Sequence, residues 1–355
     1  MEKSFRRILV IKLRFHGDML LTTPVISTLK QHYPDAKIDV LLYQDTIPIL
    51  SENPDIHMLY GMSNRHTGAW GKMKNLFTLL KKLRANQYDL VVNLTDQWSV
   101  AGIVRCLAAP VKLSHQFNHR LSSFWKNSFT VHVPFSGKHI VERSLSVLTP
   151  LGIDEYVTET TMRYDPKHWE HIHRQLQKQG VDGSYVVVQP TARQLFKCWD
   201  NDKFSQVIDA IQQRGYPVIL TSGPSMDDLQ CINDICQKCQ SNPITQLAGK
   251  TNFPELAALI DHAALFIGVD SAPGHIAAAV HTPVISLFGP TDHVVWCPWT
   301  KDMILLWAGD YQPMPARKDL DRSKKYLSVI PAEDVITAAD KMLPGSIEQY
   351  KEDVH

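Results

Sequence analysis

Asp270, Ser271, Gly274 and His275 fall in one run, Leu265 to Ala279, whose order of residue types suits anion binding. The run opens on bulky apolar residues, the pattern of a buried strand, and closes on alanines, the pattern of a helix. Asp270 and Ser271 are good N-cap residues, and Pro273 stands near the first helical position, where a missing N–H costs least. A strand, a tight turn and a helix N-terminus follow from this order. Free backbone N–H groups and the helix dipole at such a terminus favour phosphate. Ser271 adds a hydroxyl donor, and Gly274 leaves room for a ligand against the backbone. An ordinary capped helix in an α/β fold accounts for the same residues.

Other loops carry related chemistry. Gln189 to Asp200 follows a buried apolar run and holds Thr191 and Lys197, a hydroxyl and an ammonium suited to phosphate. A surface loop with a solvated lysine reads the same way. Thr221-Ser222-Gly223-Pro224 and Leu247-Ala248-Gly249-Lys250-Thr251 are rich in small residues, which let a base and ribose approach the backbone, although tight turns at strand ends share that composition. Four such loops at one sheet edge point to a nucleoside diphosphate. In the first half, Gly17 and Asp18 end the loop Lys12 to Asp18. Ligands of open α/β sheets bind at that edge, though Asp18 also fits a helix N-cap. His115, His119, Arg120, Trp125 and Lys126 mix basic and aromatic side chains, as a site for a phosphorylated sugar does and as many loops do.

These loops need strands and helices to position them. Ile8–Ile11 and Lys37–Tyr43 read as strands around a helix from Met19 to His32, which Pro24 either kinks or restarts with Thr23 as cap. That is a βαβ opening, so parallel strands are expected. Leu76, Leu79, Leu80 and Leu83 recur at helical spacing as a core face, and Leu90–Leu94 is a further strand. Lys72, Lys74, Lys81, Lys82 and Arg84 decorate that helix, either as a solvated face or as a contact for an anionic surface. After Pro166 an amphipathic helix covers Trp169 to Lys178. The chain then restarts with strands at Tyr185–Val188, Val218–Leu220, Thr245–Leu247, Leu265–Val269 and Val284–Leu287. The expectation is two doubly wound Rossmann-like domains, residues 1–170 and 171–325, facing each other across a cleft. A helix from Pro331 to Leu343 and a frayed tail after Pro344 complete the chain.

Composition narrows the function. With 355 residues, 44% of them hydrophobic, the chain can bury two cores. A formal net charge of +1 does not point to a nucleic-acid binder. The apolar run after Arg7 breaks at Lys12, too soon for a signal segment, and no stretch approaches the roughly 20 apolar residues of a membrane span, so a soluble cytoplasmic protein is expected. Cys231, Cys236 and Cys239 fit a helix as well as they fit a metal cluster, and no Cys/His set completes four ligands. The first loop lacks G-x-G-x-x-G, which disfavours a dehydrogenase.

Lys12 to Asp18, Thr191 to Trp199, Leu247 to Thr251 and Asp270 to His275 together resemble glycosyltransferase family 9, the bacterial heptosyltransferases, along most of the chain. The resemblance implies a GT-B fold, with an N-terminal acceptor domain and a C-terminal donor domain, and a last helix (within residues 326–355) returning to the first domain. It implies inverting transfer of heptose from ADP-L-glycero-D-manno-heptose to the lipopolysaccharide inner core, without a metal or other cofactor, at the cytoplasmic face of the inner membrane. Asp18 then matches the general base. Gly17, Thr191, Lys197, Lys250, Thr251, Asp270, Ser271, Gly274 and His275 match the donor side. Arg120 and Lys126 are acceptor-side candidates from the residue reading. Ser225 stands where some relatives hold the ribose with Glu. A heptosyltransferase for another core position and a catalytically idle scaffold of core assembly are the competing readings.

Overall fold

The computed structural model describes residues 4–63 and 69–343. The tail from Pro344 and the Lys72 side chain, both named above, lie outside the described residues. The chain divides into two compact units, Met1–Met162 and Arg163–His355.

The first unit is built on six parallel strands: β1 (Arg7–Ile11), β2 (Lys37–Tyr43), β3 (Met58–Met62), β4 (Leu90–Asn93), β5 (Val111–His115) and β6 (Val131–Val133). Their order is β3-β2-β1-β4-β5-β6. Ile8 to Ile11 and Leu90 to Val92 are fully buried, as continuous apolar runs in a parallel sheet require. The order reverses between β1 and β4, so the loops leaving these two strands diverge and open the crevice where such sheets take ligands.

The second unit repeats the logic. Its strands are β7 (Val186–Gln189), β8 (Val218–Leu220), β9 (Leu265–Val269), β10 (Val284–Phe288) and β11 (Met303–Trp307), all parallel, in the order β11-β10-β9-β7-β8. The reversal here falls between β7 and β9, with Gln189 opposite Gly268. A Cβ on Gly268 would meet the buried Phe266 ring at 2.8 Å and the Gln189 carbonyl at 3.3 Å. Glycine therefore lets the ends of β7 and β9 close up just before the loops that follow them.

The structure departs from the sequence reading at several places. The first helix is broken: His16–Leu20 is one short helix and Thr23–His32 another, with Pro24 in the first turn of the second. Thr22, not Thr23, holds the N-cap position. Its hydroxyl donates to the Asp18 carbonyl at 2.8 Å, and the Thr23 hydroxyl donates to Leu20. Thr245–Leu247 is not a strand. Ile244 alone bridges to Ile219, the Thr245 N–H turns to the Gln246 side chain, and Ala248 closes a turn on Thr245. Leu79 and Leu83 are buried on the helix Ala69–Ala85, but Leu76 is 38% exposed, so the buried stripe is narrower than the leucine spacing suggests. The helix Pro166–Gln177, capped by Asp165, packs on Phe253–Asp261 in the second unit, where Trp169 stacks on His262. The last described helix, Ala332–Met342, buries Val335, Ala338 and Ala339 in the second unit's own core beside Asn201–Gln213. Its apolar face is therefore covered within that unit.

Candidate active site

In the second unit, the loops after β7 and β9 meet through one ion pair. The Lys197 ammonium lies 2.7 Å from the Asp270 carboxylate, whose side chain is 8% exposed. Asp270 Oδ2 has no aligned hydrogen-bond donor among the described residues, so the contact is electrostatic. The Lys197 side chain is 27% exposed and keeps protons for a second partner. Ser271 takes the N-cap position of Ala272–Ala279, but its hydroxyl turns back to the Val269 carbonyl at 3.1 Å. The helix start therefore has no side-chain cap, and it follows directly on the carboxylate that holds the Lys197 ammonium. That is an anion site in chemical terms. His275 is buried on the same helix, and a Cβ on Gly274 would meet nothing closer than Pro298 at 3.5 Å.

Thr191 is held from behind. The Gln189 amide donates to the Thr191 hydroxyl at 2.9 Å and accepts from Thr221 at 2.7 Å. With its oxygen already accepting, the buried Thr191 hydroxyl can still donate its proton. Gly249, at a φ of +68°, bonds its N–H to the Ser222 carbonyl. A Cβ there would lie 3.1 Å from the Gly223 carbonyl, so the Leu247–Thr251 turn packs directly on the loop after β8. Lys250 is exposed and Thr251 half-buried at the end of this turn. Ser225 caps the helix Met226–Lys238 and bonds to Asp228.

Sequence reasoning missed how the Lys197 loop is anchored. The Trp199 indole donates to the Ile330 carbonyl at 3.1 Å, Lys325 donates to the Trp199 carbonyl at 2.9 Å, and Ser328 donates to Asp200 at 2.7 Å. These partners are some 130 residues away, and no local pattern announces them.

In the first unit, Gly17 and Asp18 lie within the short helix His16–Leu20, and both are half-buried. The loop after β4 brings Asp96 to the same sheet edge. Its carboxylate takes Arg14 at 2.9 Å and His119 at 3.0 Å, and its carbonyl accepts from Arg120. The Arg120 guanidinium lies 5.1 Å from the Trp98 ring centroid and 5.6 Å from that of Trp125. Asp96 thus gathers a basic group that the sequence named only in part. Lys126 is exposed at the end of Ser123–Lys126, and among the described residues no contact joins its ammonium to this group. His115, stacked on Phe135 with ring centroids 4.2 Å apart, is pushed down to about 4 by burial and stays neutral at ordinary pH.

The sequence profile of Glycosyltransferase family 9 (heptosyltransferase) matches residues 76–327. The chain belongs to glycosyltransferase family 9. It is 68% identical over 332 residues to lipopolysaccharide heptosyltransferase 3 of Escherichia coli (strain K12), covering 94% of this chain and 96% of that protein. Lipopolysaccharide heptosyltransferase 2 of the same strain is 25% identical over 304 residues, 80% of this chain and 83% of its own. The solved structure of a family 9 glycosyl transferase from Veillonella parvula DSM 2008 superposes with a TM-score of 0.82 at 22% identity, covering 96% of this chain and 98% of that one. E. coli heptosyltransferase WaaC with ADP gives 0.72 at 18% identity, covering 94% and 99%. The fold, two parallel α/β sheets, is that of the GT-B heptosyltransferases. Among the described residues no group of three or more His, Cys, Asp or Glu is gathered to hold a metal.

In this family 9 chain, Lys197→Ala should do two things. If the site takes a diphosphate, the substitution removes the ammonium that would meet it, and ADP affinity measured by calorimetry should fall at least about tenfold. It also leaves Asp270 buried without a counter-charge, which should cost about 3 kcal/mol in chemical denaturation. Wild-type ADP affinity in the variant would remove Lys197 from the donor site.

Proposed function

We propose that this chain moves L-glycero-D-manno-heptose from ADP-heptose to a heptose of the lipopolysaccharide inner core, with inversion at the anomeric carbon. The observation that carries the reading is the Lys197–Asp270 pair set against an uncapped helix start, in a chain 68% identical to a lipopolysaccharide heptosyltransferase 3. The second unit then holds the donor. Its diphosphate lies against the Lys197 ammonium, the Thr191 hydroxyl and the helix start at Ser271 and Ala272, with Gly274 and His275 lining the turn behind it, while Lys250 and Thr251 flank the nucleoside. Gly17 borders the sugar end of the donor.

Transfer proceeds as a displacement. The acceptor hydroxyl oxygen attacks the anomeric carbon on the face opposite the diphosphate. The bond from that carbon to the phosphate oxygen breaks, and ADP leaves with the electron pair. Asp18 takes the hydroxyl proton, a contribution of about 10²–10⁴-fold for a well-placed base. Positive charge accumulates on the sugar as the bond loosens, as in glycoside hydrolysis. Donors already aimed at the leaving diphosphate stabilise the charge arriving there, and each is worth ~3 kcal/mol by analogy with oxyanion holes. Arg120, steered by Asp96 and the Trp98 face, and the exposed Lys126 serve the anionic acceptor.

The same reading places the enzyme at the cytoplasmic face of the inner membrane. No described helix is long and apolar enough to cross a membrane. The helix Ala69–Ala85, however, exposes Met73 (61%), Leu76 (38%) and Phe77 (73%). At 100° per residue, Arg84 falls within this apolar arc, while Lys81 and Lys74 lie along one edge of it. An apolar stripe edged by lysines suits the surface of an anionic bilayer.

Two outcomes check these assignments. Asp18→Ala should lose at least about a hundredfold in kcat while binding ADP as the wild type does, since base and diphosphate contacts are on different units. Near-wild-type turnover would remove Asp18 from the chemistry, and absence of ADP release from wild type with donor and core acceptor would favour the idle scaffold. The full chain should sediment with phosphatidylglycerol vesicles and not with phosphatidylcholine vesicles, and Phe77→Ser should weaken that binding. Equal sedimentation with both lipids would contradict the bilayer contact.

A further inference from the structure

Trp98 is held in place without being covered. It opens the helix Trp98–Arg105, just after the loop that leaves β4, and the residue is 45% exposed. The Trp125 ring meets it edge-on with centroids 6.0 Å apart, the Phe124 ring lies tilted at 6.1 Å, and the Arg120 guanidinium stands 5.1 Å from its centroid. Trp125 is buried in the first unit's core, so the indole of Trp98 is backed by packed side chains. Aromatic surface left in water forgoes the gain of burial, and single exposed apolar residues are common. Trp98 differs from those in where it stands and in what fixes it there.

Gln97 ties this position to its neighbours. It occupies the N-cap position of the helix, yet its amide donates to the Leu13 carbonyl at 2.9 Å and bonds the Tyr43 hydroxyl. The loop after β4 is thereby fastened to the loop after β1 and to the end of β2. One residue earlier, Asp96 gathers Arg14, His119 and Arg120. The Trp98 ring therefore stands at the edge where the strand order reverses between β1 and β4, the edge at which such sheets take ligands. Arg120 spends its Nε on the Asp96 carbonyl, which leaves its terminal N–H groups for another acceptor. Arg14 bonds the Asp96 carboxylate at 2.9 Å and is exposed.

We propose that Trp98 is a specificity-determining residue for the acceptor, its exposed indole face taking the C–H face of a sugar ring while the Arg120 and Arg14 guanidinium groups meet an anionic group on the same sugar chain. The inference rests on the reading of the first unit as the acceptor side. An indole face is electron-rich, and the C–H hydrogens on one face of a sugar carry partial positive charge, so the two attract as a cation and a ring do, more weakly. Stacking also removes apolar area from water on both partners. A ring already fixed by its neighbours loses little side-chain freedom on binding. The patch matches a charged sugar in both respects. A neutral apolar partner would leave the guanidinium groups unanswered, and a small free anion would leave the indole unused.

The test uses the full chain with ADP-heptose and inner-core oligosaccharide freed of its lipid. Trp98→Ala should raise the acceptor KM at least about tenfold, with kcat and ADP affinity within about twofold of wild type. Trp98→Phe, which keeps an aromatic face, should recover much of the loss, and Trp98→Leu, which keeps only apolar bulk, should not. A wild-type acceptor KM in Trp98→Ala would overturn the proposal, as would recovery by Trp98→Leu equal to that by Trp98→Phe, or an equal loss of ADP affinity. A Trp98→Ala enzyme that keeps its KM for the lipid-free acceptor but loses binding to phosphatidylglycerol vesicles would give the ring to the bilayer and overturn it too. If Trp98→Ala fails to fold, the contrast between Trp98→Phe and Trp98→Leu carries the test, and failure of Trp98→Leu as well would assign the ring to the fold and overturn the proposal. Wild type that transfers no heptose to the acceptor, with or without its lipid, removes the functional reading and this inference together. Transfer by wild type with an unmoved KM in Trp98→Ala removes the role of Trp98 alone.

Discussion

A carboxylate buried as deeply as Asp270 has to be answered by a cation, and the answer comes from another loop. The 2.7 Å contact to Lys197 ties the segment after β7 to the segment after β9. Those strands lie side by side because the sheet order reverses between them. The ion pair thus converts a topological fact into a chemical one: an ammonium held beside a helix start whose own serine has turned away. On the proposed reading, a diphosphate entering there would meet charge already in place, which would spare the reorganisation that water demands at the moment of bond cleavage.

The first unit uses the same reversal for a different purpose. The loops after β1 and β4 deliver Asp18 and Asp96 to one edge. The Asp96 carboxylate takes Arg14 and His119 and its carbonyl takes Arg120, whereas among the described residues the Asp18 carboxylate takes no hydrogen bond or ion pair. One carboxylate organises cations and the other is kept open. Division of labour between two acidic groups is set here by how many donors each has been given, not by their residue type.

Much of this was legible in the chain. Continuous apolar runs such as Ile8–Ile11 and Leu265–Val269 announced buried parallel strands, and Pro24, Pro166 and Pro273 marked helix starts where helices do begin. The half-buried edge strands β3 and β11 were not singled out: Met58–Met62 is interrupted by Gly61, whereas Met303–Trp307 is a continuous apolar run that could have been read as a strand. Thr245–Leu247 misled for the opposite reason. Its composition suits a strand, but a side-chain amide from Gln246 captures the backbone N–H that pairing would need. At the site, residue types and loop positions singled out Lys197, Asp270 and Asp18. What no local pattern carries is partnership across distance. The pairing of Lys197 with Asp270, the anchoring of Trp199 on Ile330 and the gathering of three basic residues on Asp96 depend on which strands become neighbours.

The central claim is that the second unit grips the donor's diphosphate with Lys197 and the start of the helix Ala272–Ala279. The most direct measurement is a crystal structure of the protein with ADP bound. The account predicts diphosphate oxygens within about 3 Å of the Lys197 ammonium and of backbone N–H groups in the first turn after Ser271. Electron density for ADP away from both groups, with the Lys197–Asp270 pair undisturbed, would contradict it.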